Sequence, residues 1–522
     1  MVDKANDFET KHFGDLWAAK HLCRLVIYGT KLYEQEEGWY SLEMIVKHLL
    51  KGWLRSLEGA TPADQTMMSP ADYKFWGPLH KGLFQCISEI STTSLLWTVV
   101  VALDKKAMKK VADSLSYRCT EWATVHRPKR KEDIRNMNCS DLVDLVSGAF
   151  QIATLPTFDR VLLKSGFYSL VMKLAMEFRD ARTTKACGGS VATEIASHLL
   201  PTKNFRASTL VGTLPILLEG GLLEIIFIDL LAMGVAKNDS ASRWFGDDPL
   251  FYIFRACHHP RIYEALDSAN RILPPWIETV IEGDPDPAVR DVYSTFMKCA
   301  RLYRRAGQEA YHTDLPFNCA CFEHQQGREV VMTSAFQCSR CKTAVYCSPR
   351  CQRSDWERLH PEECVTQRRH RIESELAGAW LSNREQTHYI HALKAFFLKN
   401  VVGDVLPSIP HPTRGIQVMS PNTPVPIFLT ITSQMPVINE TCFAMELLKL
   451  EENGRTLFSD ARFRAIVNVI QSLESTEFIA LVASLSRLGD YLICALGAFL
   501  LEREELGLEL WNGHVQIIGP MY

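Results

Sequence analysis

A dense group of cysteine and histidine side chains occupies one short stretch of this chain of 522 residues. Seven of the sixteen cysteines and one histidine lie together there, namely Cys319, Cys321, Cys338, Cys341, Cys347, Cys351, His360 and Cys364. Structural zinc takes four such ligands in a tetrahedron, and two cysteines separated by two or three residues can hold one ion from a single turn. The eight side chains therefore predict two closed zinc sites, in which each ion ties together segments that lack a core of their own.

The order of these ligands resembles the MYND zinc finger. That family has two cysteine pairs, a Tyr-Cys-x3-Cys element, a short helix that carries Trp, and a final His-x3-Cys. Here Tyr346-Cys347, Asp355-Trp356 and His360-x3-Cys364 stand in register with it. The resemblance implies that the ligand pairs interleave. One ion would take Cys319, Cys321, Cys347 and Cys351, and the other would take Cys338, Cys341, His360 and Cys364.

The first cysteine pair departs from the family pattern. Only one residue separates Cys319 from Cys321, where the family usually has two. His324 follows three residues after Cys321, so Cys321 and His324 form an alternative pair that leaves Cys319 outside the site. We expect Cys319 and Cys321 to be the ligands, with His324 as the alternative.

Disulfides and buried free thiols are the competing interpretations of the cysteine cluster. Disulfides need an oxidising compartment, but the first nine residues, Met1 to Glu9, carry charges where a secretory signal has an apolar run. Single cysteines among apolar residues, such as Cys257 and Cys299, fit buried free thiols. We expect zinc at the cluster of an intracellular protein that resides in the cytoplasm, the nucleus or both.

Membrane association is not expected from the apolar stretches of the sequence. Ser94–Leu103 is too short to span a bilayer, and Gly221–Ala236 is interrupted by Glu224 and Asp229. The sequence thus predicts no membrane partner, and it does not specify an oligomeric state.

Residues 1–310 form a region with helical periodicity, in which apolar residues recur at i, i+3, i+4 and i+7. Examples are Leu142–Thr154, Tyr168–Phe178 and Leu222–Met233. Glycine turns at Gly166 and Gly220-Gly221 each lead into an apolar helix, and a run from Asp284 to Val292 is similar to the turn and second-helix start of armadillo and HEAT repeats. Stacked units of this kind form an α-solenoid, whose concave surface commonly binds proteins. An irregular helical bundle that carries the finger is the alternative.

The sequence pattern of the C-terminal region, residues 365–522, predicts a smaller α+β unit. Strands are expected at Val425–Ser433 and Val515–Ile518, and helices at Ala461–Leu473 and Ala480–Glu504. The predicted fold class is thus mainly α, with a helical N-terminal region, a two-zinc finger at 319–364 and an α+β region at the end.

The family resemblance also implies a ligand. Peptide-binding MYND fingers recognise short proline-containing segments in a shallow groove beside the last helix. At the matching positions Gln352 would hydrogen-bond the peptide backbone, and the flat face of Trp356 would contact a proline ring. The two residues are four apart and so share one helix face. The alternative is that Trp356 packs between the two zinc lobes while Gln352 is merely exposed.

Two other functions compete with peptide binding. SET lysine methyltransferases with an embedded MYND finger carry an Asn-His-Ser element and a downstream cysteine-rich site, but this sequence has no Asn-His-Ser, and only Cys442 and Cys494 follow Cys364. Nucleic-acid binding is not expected, because the net charge is −3 and basic residues in the finger are mixed with acids. The basic run Arg127–Lys131 fits either a nuclear localisation signal or a solvated loop.

Taken together, these features predict a non-enzymatic protein. Closed zinc sites have no free coordination position for a substrate. We therefore expect an adaptor or scaffold for protein partners, with zinc as its cofactor.

Overall fold

The computed structural model describes the chain in several stretches. These are most of residues 103–312, residues 319–321, residues 335–397 apart from 378, three residues between 461 and 465, and most of residues 479–520. His324, most of the basic run Arg127–Lys131 and the predicted strand Val425–Ser433 lie outside the described residues.

Helices dominate the described part of the chain. They are α1 (Lys105–His126), α2 (Ser140–Ala153), α3 (Pro156–Ser165), α4 (Phe167–Glu177), α5 (Val191–Leu199), α6 (Ala207–Glu219), α7 (Leu222–Val235), α8 (Pro249–Ala256), α9 (Pro260–Arg271), α10 (Pro275–Glu282), α11 (Pro287–His312), α12 (Pro349–Arg358), α13 (His360–Ala377) and α14 (Asn383–Phe397). The helical character predicted for the N-terminal region is confirmed where it is described, and the armadillo or HEAT class stays a prediction.

The glycine turns that the sequence singled out have the backbone conformation that glycine favours. Gly166 lies between α3 and α4 with φ +76°, and Gly221 lies between α6 and α7 with φ +100°. A residue with a Cβ is strained in this left-handed region. The Gly166 amide donates to the carbonyl oxygens of Leu162 and Leu163, which closes the end of α3.

The start of α11 has the local structure that the Asp-Pro sequence predicts. Asp286 Oδ1 accepts a hydrogen bond from the Ala288 amide at 2.9 Å, and Pro287 is the first residue of the helix. Val289 is buried. The turn therefore aims an apolar residue into the core.

The chain forms two compact units, each discontinuous in sequence. Unit 1 consists of Met1–Asn204, Ile216–Gly246 and Leu273–Thr279, and unit 2 consists of Phe205–Pro215, Asp247–Ile272 and Val280–Tyr522. Within unit 1, α1 packs against α2, α3 and α4, and Trp122 meets Phe178 edge to face with ring centres 5.3 Å apart. The division into domains at residues 1–310, 319–364 and 365–522 stays a prediction.

The end of the chain forms an antiparallel sheet in unit 2. Its strands are β3 (Ile479–Leu488), β4 (Tyr491–Glu502) and β5 (Gly507–Pro520), in the order β3-β4-β5. Helix α14 packs against this sheet and also against α11. The prediction of α+β structure and of a strand at Val515–Ile518 is confirmed.

The helix predicted over Ala480–Glu504 is wrong. That stretch forms most of the hairpin β3-β4, in which Leu488 pairs with Tyr491 and Ile479 pairs with Leu500. Leucine and alanine give the segment helical propensity, but cross-strand pairing and burial outweigh intrinsic propensity in a packed sheet. The two residues between the strands, Gly489-Asp490, are a hairpin signal that points to the strands.

Gly307 on α11 provides a test of packing in unit 2. A Cβ at this position would clash with Cε1 of the buried Tyr263 ring, and the Tyr263 hydroxyl donates to the Arg304 carbonyl at 3.1 Å. We expect Gly307→Ala to lower the free energy of unfolding by about 1–3 kcal/mol, because overpacking outweighs the helical preference of alanine. Thermal unfolding measures this, with exposed Ser294→Ala on the same helix as the control. Equal melting temperatures for both variants would contradict the packing described here.

Candidate metal centre

A short hairpin presents the first two thiols of the better-formed cluster. Strands β1 (Phe336–Gln337) and β2 (Val345–Tyr346) pair antiparallel, and Cys338 and Cys341 lie between them. The Cys338 amide donates to the Ala344 carbonyl at 3.0 Å, and the Lys342 amide donates to the Cys338 carbonyl at 2.9 Å. Lys342 adopts φ +58°, so the chain turns tightly enough to aim both thiols to one side.

Two helices position four more predicted ligands, Cys347, Cys351, His360 and Cys364. Ser348 caps α12 by accepting a hydrogen bond from the Cys351 amide at 3.1 Å, and Pro349 occupies the first helical position. This start to the helix brings the Cys347 and Cys351 thiols together. His360 and Cys364 lie four residues apart at the start of α13, so both point to the same side of that helix.

The first cluster has the ligand set and size of a structural zinc site. The donor atoms of Cys338, Cys341, His360 and Cys364 all lie within 4.8 Å of one another, and all four residues are buried. The distance from Cys338 Sγ to Cys364 Sγ is 3.9 Å, and that from Cys341 Sγ to His360 Nε2 is 3.6 Å. Ideal Zn–S and Zn–N bonds in a tetrahedron give about 3.8 Å and about 3.5 Å for these edges. The structure thus brings together the four residues that were predicted to share an ion.

The second cluster contains three of its four predicted ligands. Cys319, Cys347 and Cys351 place their sulfur atoms within 4.8 Å of one another, with 3.3 Å between Cys347 and Cys351. Cys319 reaches them because it bridges to Val345 of β2. Among the described residues Cys321 lies outside this group of three, although it is buried in the same small core. Its role as the fourth ligand stays a prediction.

The Cys341 and Cys364 thiols of the first cluster have pKa values shifted in opposite directions. Burial raises the pKa of the Cys341 thiol, but hydrogen bonds from His360 and Thr343 outweigh this effect and lower it to about 6. The Thr343 hydroxyl donates to Cys341 Sγ at 3.0 Å. Burial and the neighbouring thiols raise the pKa of Cys364 to about 12. A bound divalent cation removes this conflict, because it holds every coordinating thiol as a thiolate.

His360 lies in surroundings that favour a positive charge. Burial lowers its pKa, but hydrogen bonds with Cys341, Glu363 and Cys338 raise it to about 10. Glu363 Oε1 lies 3.1 Å from His360 Nδ1, on the opposite side of the ring from Cys341. A carboxylate in this place fixes the tautomer and the orientation of a metal-binding histidine. The pocket therefore suits a cation that the Nε2 atom binds.

A residue far outside the finger completes these surroundings. Arg462 is buried and donates from Nε to Glu363 Oε1 at 3.1 Å and from Nη2 to Asp355 Oδ2 at 2.9 Å. The same Asp355 oxygen accepts from the Tyr346 hydroxyl at 2.8 Å. Sequence reasoning missed Arg462, because an arginine in the predicted helix Ala461–Leu473 has no spacing that links it to the finger.

The predicted peptide-binding residues lie on α12. Trp356 is 38% exposed, and Gln352 is half-buried one turn before it. The Arg340 guanidinium lies 5.8 Å from the centre of the Trp356 ring, and the His360 ring meets its edge at 5.6 Å. Trp356 therefore packs against the first cluster and also offers part of its ring to solvent.

Comparison with known proteins identifies the finger. Residues 318–364 match the family model of the MYND finger. No curated protein and no solved structure matches the chain. The MYND finger is a zinc-binding domain that typically mediates protein–protein interaction, and the two clusters agree with this assignment. None of the helices in the described stretches is long and apolar enough to cross a membrane.

Removal of one thiol tests the first cluster. We expect Cys364→Ser to lower the zinc bound per chain, because serine offers zinc a poorer ligand and leaves the site with three strong ones. Metal analysis of the purified full-length protein measures this. Cys299→Ser changes a half-buried cysteine of α11 and should keep the wild-type zinc content. Unchanged zinc in Cys364→Ser would show that this cluster does not hold the metal.

Proposed function

We propose that this protein is a non-enzymatic adaptor whose finger holds two zinc ions and binds a short proline-containing segment of a partner protein. The observation that carries the proposal is the partly exposed Trp356 ring on α12, whose position is fixed by the first cluster. Aromatic rings with one apolar face in solvent are typical contacts for proline-containing peptides.

The proposal assigns the metal a structural role. Four protein ligands close a tetrahedral site, so a substrate has no position to occupy on the ion. The first cluster offers such a set of four. The second would reach four with Cys321, and each ion would then join segments that no sizeable core connects.

The peptide groove would run along one face of α12. Trp356 would contact the proline ring, and Gln352 would hydrogen-bond the peptide backbone from one turn away. The Arg340 guanidinium lies 5.8 Å from the centre of the indole ring and adds positive charge at the rim, while the edge contact with His360 restricts the ring. A ring held in advance loses little freedom on binding, which favours affinity.

The helical N-terminal region would supply a second contact surface for the same partner. Two weak surfaces on one chain raise the overall affinity if their spacing suits the partner. In this proposal the protein works inside the cell, in the cytoplasm, the nucleus or both, because its clustered thiols need reducing conditions.

The zinc content tests the two-ion part of the proposal. We expect two zinc ions per chain in protein purified under reducing conditions, since seven thiols and one imidazole provide two sets of four ligands. Metal analysis calibrated by quantitative amino-acid analysis measures the ratio. One ion per chain would contradict this prediction and would show that only one of the two clusters binds zinc.

Peptide binding tests the proposed ligand. A fluorescent peptide with the pattern Pro-x-Leu-x-Pro should bind the full-length protein, and Trp356→Ala should weaken binding by at least tenfold because the proline loses its stacking surface. Fluorescence polarisation measures the affinity. The matched control is Glu357→Ala, which removes the exposed neighbour of Trp356 and should leave the affinity unchanged. Both variants must keep wild-type zinc.

Two results would contradict the proposed ligand. The first is that the wild-type protein does not bind the proline-containing peptide at high micromolar concentration. The second is equal affinity of wild type and Trp356→Ala, which would leave Trp356 with packing as its role.

A further inference from the structure

Arg462 connects the finger to a part of the chain that the MYND match does not include. The match ends at residue 364, and Arg462 lies almost a hundred residues later in a helical stretch of unit 2. Its guanidinium donates to Glu363, to Asp355 and to the carbonyl oxygen of Ala320. One side chain therefore contacts three separate segments of the finger.

Burial makes these contacts strong. Arg462, Asp355 and Glu363 are all buried, so each charge has lost most of its water. A buried carboxylate without a partner is costly, and an arginine fork can bind two carboxylates at once. Removal of Arg462 would leave two negative charges inside the finger beside the thiolates.

The contacts lead directly to the metal ligands. Glu363 Oε1, which Arg462 binds, is the same oxygen that faces His360 Nδ1 at 3.1 Å. The Ala320 carbonyl lies between Cys319 and Cys321 in the chain. Arg462 thus touches the neighbour of a ligand in the first cluster and a peptide unit next to the second.

We propose that Arg462 is a positioning residue of the metal centre, which orients His360 through Glu363 and couples zinc binding to the C-terminal region. Glu363 fixes the imidazole so that Nε2 faces the ion, and Arg462 fixes Glu363. Because coupling between two sites is reciprocal, bound zinc also stabilises the segment around Arg462. The inference rests on zinc binding by the finger and is independent of the peptide groove.

Zinc release tests the effect on the metal. Arg462→Lys keeps one positive charge, but a single ammonium group cannot contact all three partners in this geometry. We expect the full-length variant to bind zinc about 10–100 times more weakly, as for other residues that support metal ligands, so that a chromogenic chelator removes zinc from it faster than from wild type. The matched control is Arg369→Lys on α13, whose exposed side chain pairs with Glu373. Equal rates for wild type and Arg462→Lys would overturn the proposal, and so would equal acceleration in both variants.

Cobalt spectroscopy separates positioning from general destabilisation. The visible absorption of Co²⁺ in place of zinc reports the ligands and their geometry. A shifted band in folded Arg462→Lys, reproduced in Glu363→Gln and not enlarged in the double variant, would support action through Glu363. Bands identical to wild type in both single variants would overturn it.

Hydrogen exchange tests the coupling without any substitution. We expect removal of zinc from the wild-type chain to speed amide exchange at residues 461–465 as well as in the finger, while α1 in unit 1 stays protected. Unchanged exchange at 461–465 after the finger has lost its metal would overturn the coupling.

Discussion

Lone pairs of sulfur and nitrogen that are crowded into a buried volume destabilise one another unless a cation lies among them. Cys338, Cys341, His360 and Cys364 hold their donor atoms within 4.8 Å of one another, while strands β1 and β2 are only two residues long each. Such strands cannot hold a hairpin by themselves. The metal and its ligands therefore determine the structure of the finger, and the small apolar core around Tyr346 only supports them.

Because the ligands interleave, both clusters include residues at the ends of helix α12. One cluster includes Cys347 and Cys351 around the start of this helix, and the other includes His360, which packs against Trp356 near its end. Helix α12 therefore has one cluster of candidate ligands at each end. In unit 2 Arg462 contacts the same helix through Asp355, which lies on its buried side.

Sequence reasoning found the parts of the centre that depend on local spacing. The cysteine pairs, the His360-x3-Cys364 step and the tryptophan helix are short-range patterns, and the structure gathers seven of the eight predicted ligands into two groups. Sequence reasoning missed the features that depend on residues far apart in the chain. Arg462 meets Glu363 across almost a hundred residues, and the hairpin of β3 and β4 was predicted as a helix because pairing partners outweigh the propensity of leucine and alanine.

X-ray absorption at the zinc edge of the full-length protein tests the central claim most directly, because it reports the atoms bound to the metal. The account predicts seven sulfur ligands at about 2.3 Å and one nitrogen ligand at about 2.0 Å, shared between two four-coordinate ions. Six sulfur and two nitrogen ligands would assign His324 to the second cluster in place of one cysteine. A spectrum dominated by oxygen and nitrogen, or one with a bound water, would contradict closed structural sites.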